Sequence, residues 1–512
     1  MKIKRLLFCL ALASCAPIAL AQAPAVQGAA PAAKPQAAPA KPTAPLPSQA
    51  DIERIVDLAT LQRLAAGFGK TGDMQRLTWV YQRLSTLFPN SGDYKFALAV
   101  LHAQKGEKTE TYDLLMRLKQ QGFGYDIKED KRFAKVSDTK LWTYVVDNLK
   151  ANLATFGEGK VAFELPKGDT LYESLAWDAK RSRLLVGSAR DGSIQIVDAK
   201  GKLTPFIKAD AQTGLWSVYG LAADAERDLL YVASTSSTYF KGFKQDDFGK
   251  AAVFKFQLSS GKLLERYAVT GEGVHTLSTI TVGKGGQMFA ADGLRNRIYT
   301  IDGNQLKLVV SDPNLHSVRG LAVSDDGKLL FFADYQLGLF GVHLATGKGF
   351  AVGYNVESLV LGGIDGLYWY DGTLVVVENG MRPQRVMRLS LSPDGRSISK
   401  VMPLDVANAA FSLPTYGAVA GEKLYFIANS QKGLYGQYGT VKDGAELKPV
   451  RVFESNLRFA WNEAGINTAR VPVRQAPFSE GKQLMQTPPS LTDPLPRIEP
   501  APEPKPDAKK GD

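Results

Sequence analysis

Residues 362–380 read GGIDGLYWYDGTLVVVENG: Gly-Gly, an apolar run opened by Asp365-Gly366, a second Asp-Gly at 371–372, another apolar run, then Glu-Asn-Gly. Two short apolar runs joined by Asp-Gly spell a β-hairpin, because a tight hairpin turn needs positive φ, which Gly, Asn and Asp tolerate best. The hairpin alone says nothing of chemistry, and Asp365 is open to two readings, metal ligand or strand opener.

Five other segments align with it: YESLAWDAKRSRLLVGS (172–188), VYGLAADAERDLLYVAS (218–234), LSTITVGKGGQMFAAD (277–292), VRGLAVSDDGKLLFFAD (318–334) and PTYGAVAGEKLYFIAN (414–429). Each holds an apolar strand, a polar turn and a second strand ending in a small residue plus Ser, Asp or Asn. The first strands open at Glu173, Tyr219, Ser278, Arg319, Asp365 and Tyr416, in steps of 46, 59, 41, 46 and 51 residues. The second strands end in register at Ser188, Ser234, Asp292, Asp334, Asn379 and Asn429. Third and fourth strands follow, as in GSIQIVDAKGKLTPFI (192–207). Six four-stranded units predict a six-bladed β-propeller over residues 158–456. A lone strand, KVAFELP (160–166), is expected to pair near KPVRVFE (448–454) and so close the ring, leaving no open sheet edge.

Upstream, residues 51–150 have a helical period. Gly72 and Gly106 each lie between successive helical runs and are 34 residues apart, with Leu64 matching Leu98, Ala65 matching Ala99 and Tyr81 matching Leu115. This spacing resembles the tetratricopeptide repeat, about 34 residues of helix-turn-helix per unit. Residues 131–152 are expected to add a capping helix. The fold class is therefore α then all-β: tetratricopeptide-like helical hairpins followed by the propeller.

The N-terminus reads as an export signal over residues 1–21: basic MKIKR, an apolar run, and Ala19-Leu20-Ala21 before Gln22. That places the protein in the periplasm or outside the cell. LASC (12–15) also fits a lipoprotein box, which would make Cys15 an outer-membrane anchor and is the one route to a membrane. Cys9 and Cys15 are the sole cysteines and both lie in this segment, so simple cleavage leaves no disulfide and no thiol chemistry. Residues 22–50 are Ala/Pro-rich and residues 457–512 Pro-rich and charged, which reads as an extended linker and tail. A net charge of +11 is spread along the chain without a basic run, which argues against nucleic acid. No phosphate loop, G-x-S-x-G elbow, H-E-x-x-H helix or dinucleotide fingerprint occurs.

The propeller segments resemble the senescence marker protein and gluconolactonase family, whose fold carries a divalent metal, Ca²⁺ or Zn²⁺, on the propeller axis and hydrolyses sugar lactones. By that resemblance Glu173 in YESLAW and Asp365 in GIDGLYW stand at metal-ligand positions, while Arg319 in SVRGLAV replaces an asparagine. The departure matters. Ca²⁺ takes about six to eight oxygens, whereas a permanent guanidinium pairs with carboxylates. An ion-paired ring of Arg319 with Glu173 and Asp365 is the alternative to a bound cation.

Two functions are expected from this. In the first, an envelope protein binds a partner through its helical repeats and a small polar or sugar-like ligand in the propeller channel. In the second, a metal-dependent lactone hydrolase uses Asp365 and Glu173 on the metal and Arg319 on the substrate carbonyl. Trp216, Tyr219, His275, His316 and Tyr416 are the candidate ligand contacts, the two histidines because each just precedes an inner strand. The same histidines also fit plain solvated loops. The repeated Asp and Asn at the second-strand ends are read as caps on turn amides.

Overall fold

The computed structural model describes residues 46–459 and the two-residue strand Ile466–Asn467. Six helices come first, followed by a six-bladed propeller of antiparallel sheets. The export signal, nearly all of the Ala/Pro segment and most of the C-terminal tail lie outside the described residues.

The helices are α1 (Gln49–Arg54), α2 (Leu58–Thr71), α3 (Met74–Leu87), α4 (Gly92–Lys105), α5 (Lys108–Gln120) and α6 (Lys140–Ala151). Side chains of Ser48, Asp57, Asp73, Ser91 and Thr139 accept the free amides at five of their starts. Ser48 and Asp51 form a reciprocal capping box, so the helical segment begins two residues ahead of the boundary read from composition. Gly72 and Gly106 end α2 and α4 in the left-handed region, at φ of 75° and 85°. Helices α4 and α5 begin 34 residues after α2 and α3, so the period seen in the sequence is a real structural period of two helical hairpins.

The six inner strands are Tyr172–Asp178, Ser217–Asp224, Leu277–Val282, Val318–Val323, Ile364–Tyr370 and Gly417–Ala420, numbered here as blades 1 to 6. Blade 6 is completed by the strand Lys160–Leu165, antiparallel to Val450–Asn456 with Leu165 opposite Val450 and Lys160 opposite Glu454. This is the closure expected from KVAFELP. Its apolar seam joins Phe163 and Leu165 to Leu175 and Leu184 of blade 1 and Ile427 and Val452 of blade 6. Blade 5 gains a fifth strand, because Ile466–Asn467 pairs with Val401 and Lys400. Composition alone assigns that piece of the chain to the extended tail.

The helices are joined to the propeller by a continuous apolar core. Ile52, Leu61, Val80, Leu84 and Phe88 share a cluster with Phe289, Val318, Leu321 and Phe332 of blades 3 and 4. Val100, Leu115, Phe123 and Val145 pack with Val360 and Met381 beside blade 5. Burial on both sides of the contact, at about 25 cal/mol per Å² of apolar surface, makes the helices part of one packed body.

Candidate functional site

One small irregularity, repeated from blade to blade, builds the site. In blades 1 to 5 the pairing of inner and second strand slips at the opening residue: between Tyr172 and Ser174, Val218 and Gly220, Leu277 and Thr279, Val318 and Leu321, Ile364 and Gly366. The residues caught in these bulges are Glu173, Tyr219, Ser278, Arg319 and Asp365. In blade 6, Tyr416 directly precedes the paired strand. A bulge inserts an unpaired residue and re-aims its side chain. Here it leaves one side chain per blade at the same end of the inner strands. An axial cavity of about 220 Å³ runs between the inner strands, with Tyr219 and Tyr416 among its walls.

Asp365 is buried and held on both oxygens. Arg319 Nη1 donates to Oδ1 at 2.6 Å, and Asn379 Nδ2 donates to Oδ2 at 2.9 Å. The Tyr335 hydroxyl in turn donates to Asn379 Oδ1 at 2.8 Å. The Arg319 guanidinium lies 4.6 Å from the centre of the Tyr335 ring, and its Nε donates to Ser317 Oγ at 3.2 Å. Stacking and a charge-assisted bond together set the guanidinium plane.

Glu173 is held differently. Ser430 Oγ donates to its Oε1 at 2.6 Å, and Arg319 acts on it as a neighbouring charge. The expectation that Arg319 would pair with both carboxylates is thus met at Asp365, while the second carboxylate takes its hydrogen bond from a blade 6 serine. Burial lifts the Glu173 carboxyl above the ordinary range, opposed by Lys432 and by the Ser430 hydroxyl. Burial also raises the Tyr219 and Tyr416 hydroxyls, which stay protonated and able to donate. Ser278 and Tyr416 are half-buried and the Arg319 side chain is 31% exposed, so three of the six ring residues are reachable from solvent.

The Glu173 shift makes a testable pH dependence. A carboxyl whose folded pKa is raised favours the folded state below its ordinary value of 4.5, and that contribution is lost as pH rises through the folded pKa. Glu173→Gln, which mimics the protonated acid, should therefore melt above the native protein at pH 8 and match it at pH 4. A lower melting point at pH 8 would mean that Glu173 works as an ionised partner of Lys432.

As a cation site the ring fits poorly. Both Asp365 oxygens are engaged, a guanidinium stands at 2.6 Å, and the described residues hold no group of three or more His, Cys, Asp or Glu placed to share a metal. The donor set suits a polar organic ligand better than a hard cation.

Three candidate ligand contacts lie elsewhere. His275 is buried, with Nδ1 2.8 Å from Asp292 Oδ2, and is neither solvated nor on the ring. His316 is exposed and meets the Phe88 ring edge-on at 5.1 Å, at the junction with the helices. Trp216 packs against Phe254 at 6.2 Å and under the Arg266 guanidinium at 4.7 Å, at the apolar cluster between blades 1 and 2. A loop residue just before a strand takes its direction from partners distant in sequence, here Asp292 for His275, Arg266 for Trp216 and Phe88 for His316, which periodicity does not encode.

The second-strand ends of blades 3, 4 and 6 are caps as expected, with Asn429 Oδ1 accepting from Arg451 N in blade 6. Asp334 accepts from the amides of His316, Ser317, Gln336 and Leu337, and Asp292 from those of Thr276, Leu294 and Arg295. Asn379 departs from the expectation: its side chain accepts from the Tyr335 hydroxyl and donates to Asp365 and to the Pro414 carbonyl. Its membership of a repeated set hid that blade-specific role, and residue type gave no signal, since blade 6 also has Asn there and uses it as a cap.

No family model matches the chain, and no curated protein does. Among solved structures it is similar to a putative oxidoreductase (glucose dehydrogenase) of Thermus thermophilus, at 17% identity and a TM-score of 0.38 over 58% of this chain and 100% of that one. It is also similar to a gluconolactonase of Xanthomonas campestris, at 14% identity and a TM-score of 0.38 over 60% of this chain and 92% of that one. A third likeness is to hydrazine synthase of Kuenenia stuttgartiensis, at 17% identity and a TM-score of 0.37 over 51% and 75%. Likenesses of this degree say nothing about chemistry.

Proposed function

We propose that the protein is an exported binding protein whose propeller takes a small polar, sugar-like ligand at the ring of bulge residues. The observation that carries this reading is the Arg319–Asp365 contact at 2.6 Å, with Asn379 on the other carboxylate oxygen. A site satisfied within itself, and flanked by protonated hydroxyls, favours recognition through hydrogen bonds over metal-assisted hydrolysis. Arg319, Ser278 and Tyr416 are the groups that touch ligand; Asp365, Asn379 and Tyr335 orient the guanidinium. The two helical hairpins, in a tetratricopeptide-like arrangement, serve as the platform for a protein partner.

A second reading, lactone hydrolysis, draws on one feature: Glu173 is a buried carboxyl with raised pKa beside Arg319, the pairing that a general acid and a carbonyl-polarising group require. The two separate in one experiment. Thermal-shift titration with gluconate and with glucose should raise the melting point of the native protein, and Arg319→Met should lose the response. Turnover of δ-gluconolactone abolished by Asp365→Ala would replace the binding reading with the hydrolytic one.

A further inference from the structure

The turn between α3 and α4, Phe88 to Ser91, sits on the loops that carry the Arg319–Asp365 half of the ring. Asn90 is its centre. The residue is 6% exposed, and its carboxamide serves two propeller groups at once. Nδ2 donates to the Leu337 carbonyl at 2.7 Å, and Oδ1 accepts from the Tyr354 hydroxyl at 2.7 Å. Gly362 makes room for it: a Cβ there would stand 2.5 Å from Asn90 Cβ. A carboxamide carries its donor and its acceptor on separate atoms, so it can serve two groups that lie apart, and a buried polar group needs both satisfied.

The groups that Asn90 holds lead directly to the ring. Leu337 and Tyr335 belong to one loop of blade 4, and the Tyr335 carbonyl accepts from Gly363 N at 2.7 Å. The Gly363 carbonyl accepts from Asn379 N at 3.0 Å and Gly380 N at 3.1 Å. Tyr335 N donates to the Ser317 carbonyl at 2.8 Å, two residues before Arg319. The side chains of Tyr335 and Asn379 then bond each other, and Asn379 bonds Asp365. Glu173 and Tyr219, on the far side of the ring, are held through Ser430 and Ser237 and have no part in this chain of contacts.

We propose that Asn90 is a positioning residue for the Arg319–Asp365 pair, so that the helical segment forms a supporting wall of the ligand site and a partner bound to the helices is felt at the ring. The proposal rests on the ring being the binding site, but its test needs no ligand. The contacts form a contiguous network from the α3–α4 turn to the ring, one physical route by which coupling travels between sites.

Hydrogen exchange with mass spectrometry on the full chain distinguishes positioning from mere docking. Asn90→Ala, and the milder Tyr354→Phe, which keeps every ring residue and loses only the hydroxyl, should speed exchange at Gly363 and Asn379 by about fivefold, the value of one net hydrogen bond. Peptides of blade 1 (172–178) and blade 2 (217–224) should not change. Gln121→Ala removes a different helix–propeller bond, Gln121 Nε2 to the Val356 carbonyl at 2.7 Å, and should leave Gly363 and Asn379 unaffected. Acceleration spread evenly over all blades, no acceleration, or an equal effect from Gln121→Ala would each overturn the proposal. A ring that orders normally with Asn90 yet shows no gluconate response would instead count against the binding reading alone.

Discussion

Arg385→Met should destabilise the protein by about 3–5 kcal/mol, the cost of leaving a buried charge without its partner. Glu378 is fully buried at the end of the second strand of blade 5, directly opposite Arg385 on the third. Arg385 Nε donates to its Oε2, and Oε1 has no hydrogen-bond partner among the described residues. The guanidinium also reaches the Val360 carbonyl at 3.2 Å. Burial already pushes the Glu378 carboxyl up, with Arg385 opposing. Without Arg385 the carboxyl protonates more readily, so the deficit should shrink on acidification and be largest at high pH. Urea unfolding at pH 5 and pH 8 reads both effects. The double variant Glu378→Leu with Arg385→Met should recover most of the loss, because it removes both charges together. A deficit below about 0.5 kcal/mol, the surface range, would show that the pair is solvated.

Leu165→Asp should be as damaging, for a different reason. Leu165 is fully buried on the closing strand and belongs to the seam between the first and last blades. An unpaired carboxylate there costs several kcal/mol. It also weakens the one strand that ties the two ends of the propeller, leaving the Val450–Asn456 strand as an unpaired edge. The expected result is loss of a single cooperative unfolding transition. Leu165→Met, which conserves volume, should cost less than about 1.5 kcal/mol. A cooperative melt retained in Leu165→Asp would mean that ring closure does not depend on this strand.

How much of this was legible in the chain depends on the range of the interaction. The blades were, because strand alternation and polar turns are local and the pattern recurs six times. Asp371 and Gly372 adopt φ of 47° and 70° as their sequence demands. Closure by residues 160–166 followed from an otherwise partnerless strand. The ring positions were also legible, since each opener keeps its place relative to the second-strand end. What a bulge does to those openers was not, because the register slip arises between strands and leaves no mark in either one. Nor was the docking of the helices on blades 3 to 5. That contact joins Asn90 to residues 247 and 264 positions away, and nothing in the LFPNSG turn distinguishes a buried asparagine from a solvated one. His275 and Trp216 show the same limit from the other side: their neighbours in space, Asp292 and Arg266, decided their direction.

In the binding reading, the ring is a polar site in which the Arg319 guanidinium stands in place of a metal ion. Calorimetric titration of the purified full-length protein with CaCl₂ and with ZnCl₂ tests that most directly, with Asp365→Ala run alongside. No saturable one-to-one binding that depends on Asp365 is predicted for either ion. Stoichiometric binding to the native protein that vanishes in Asp365→Ala would contradict the account and return the ring to metal chemistry.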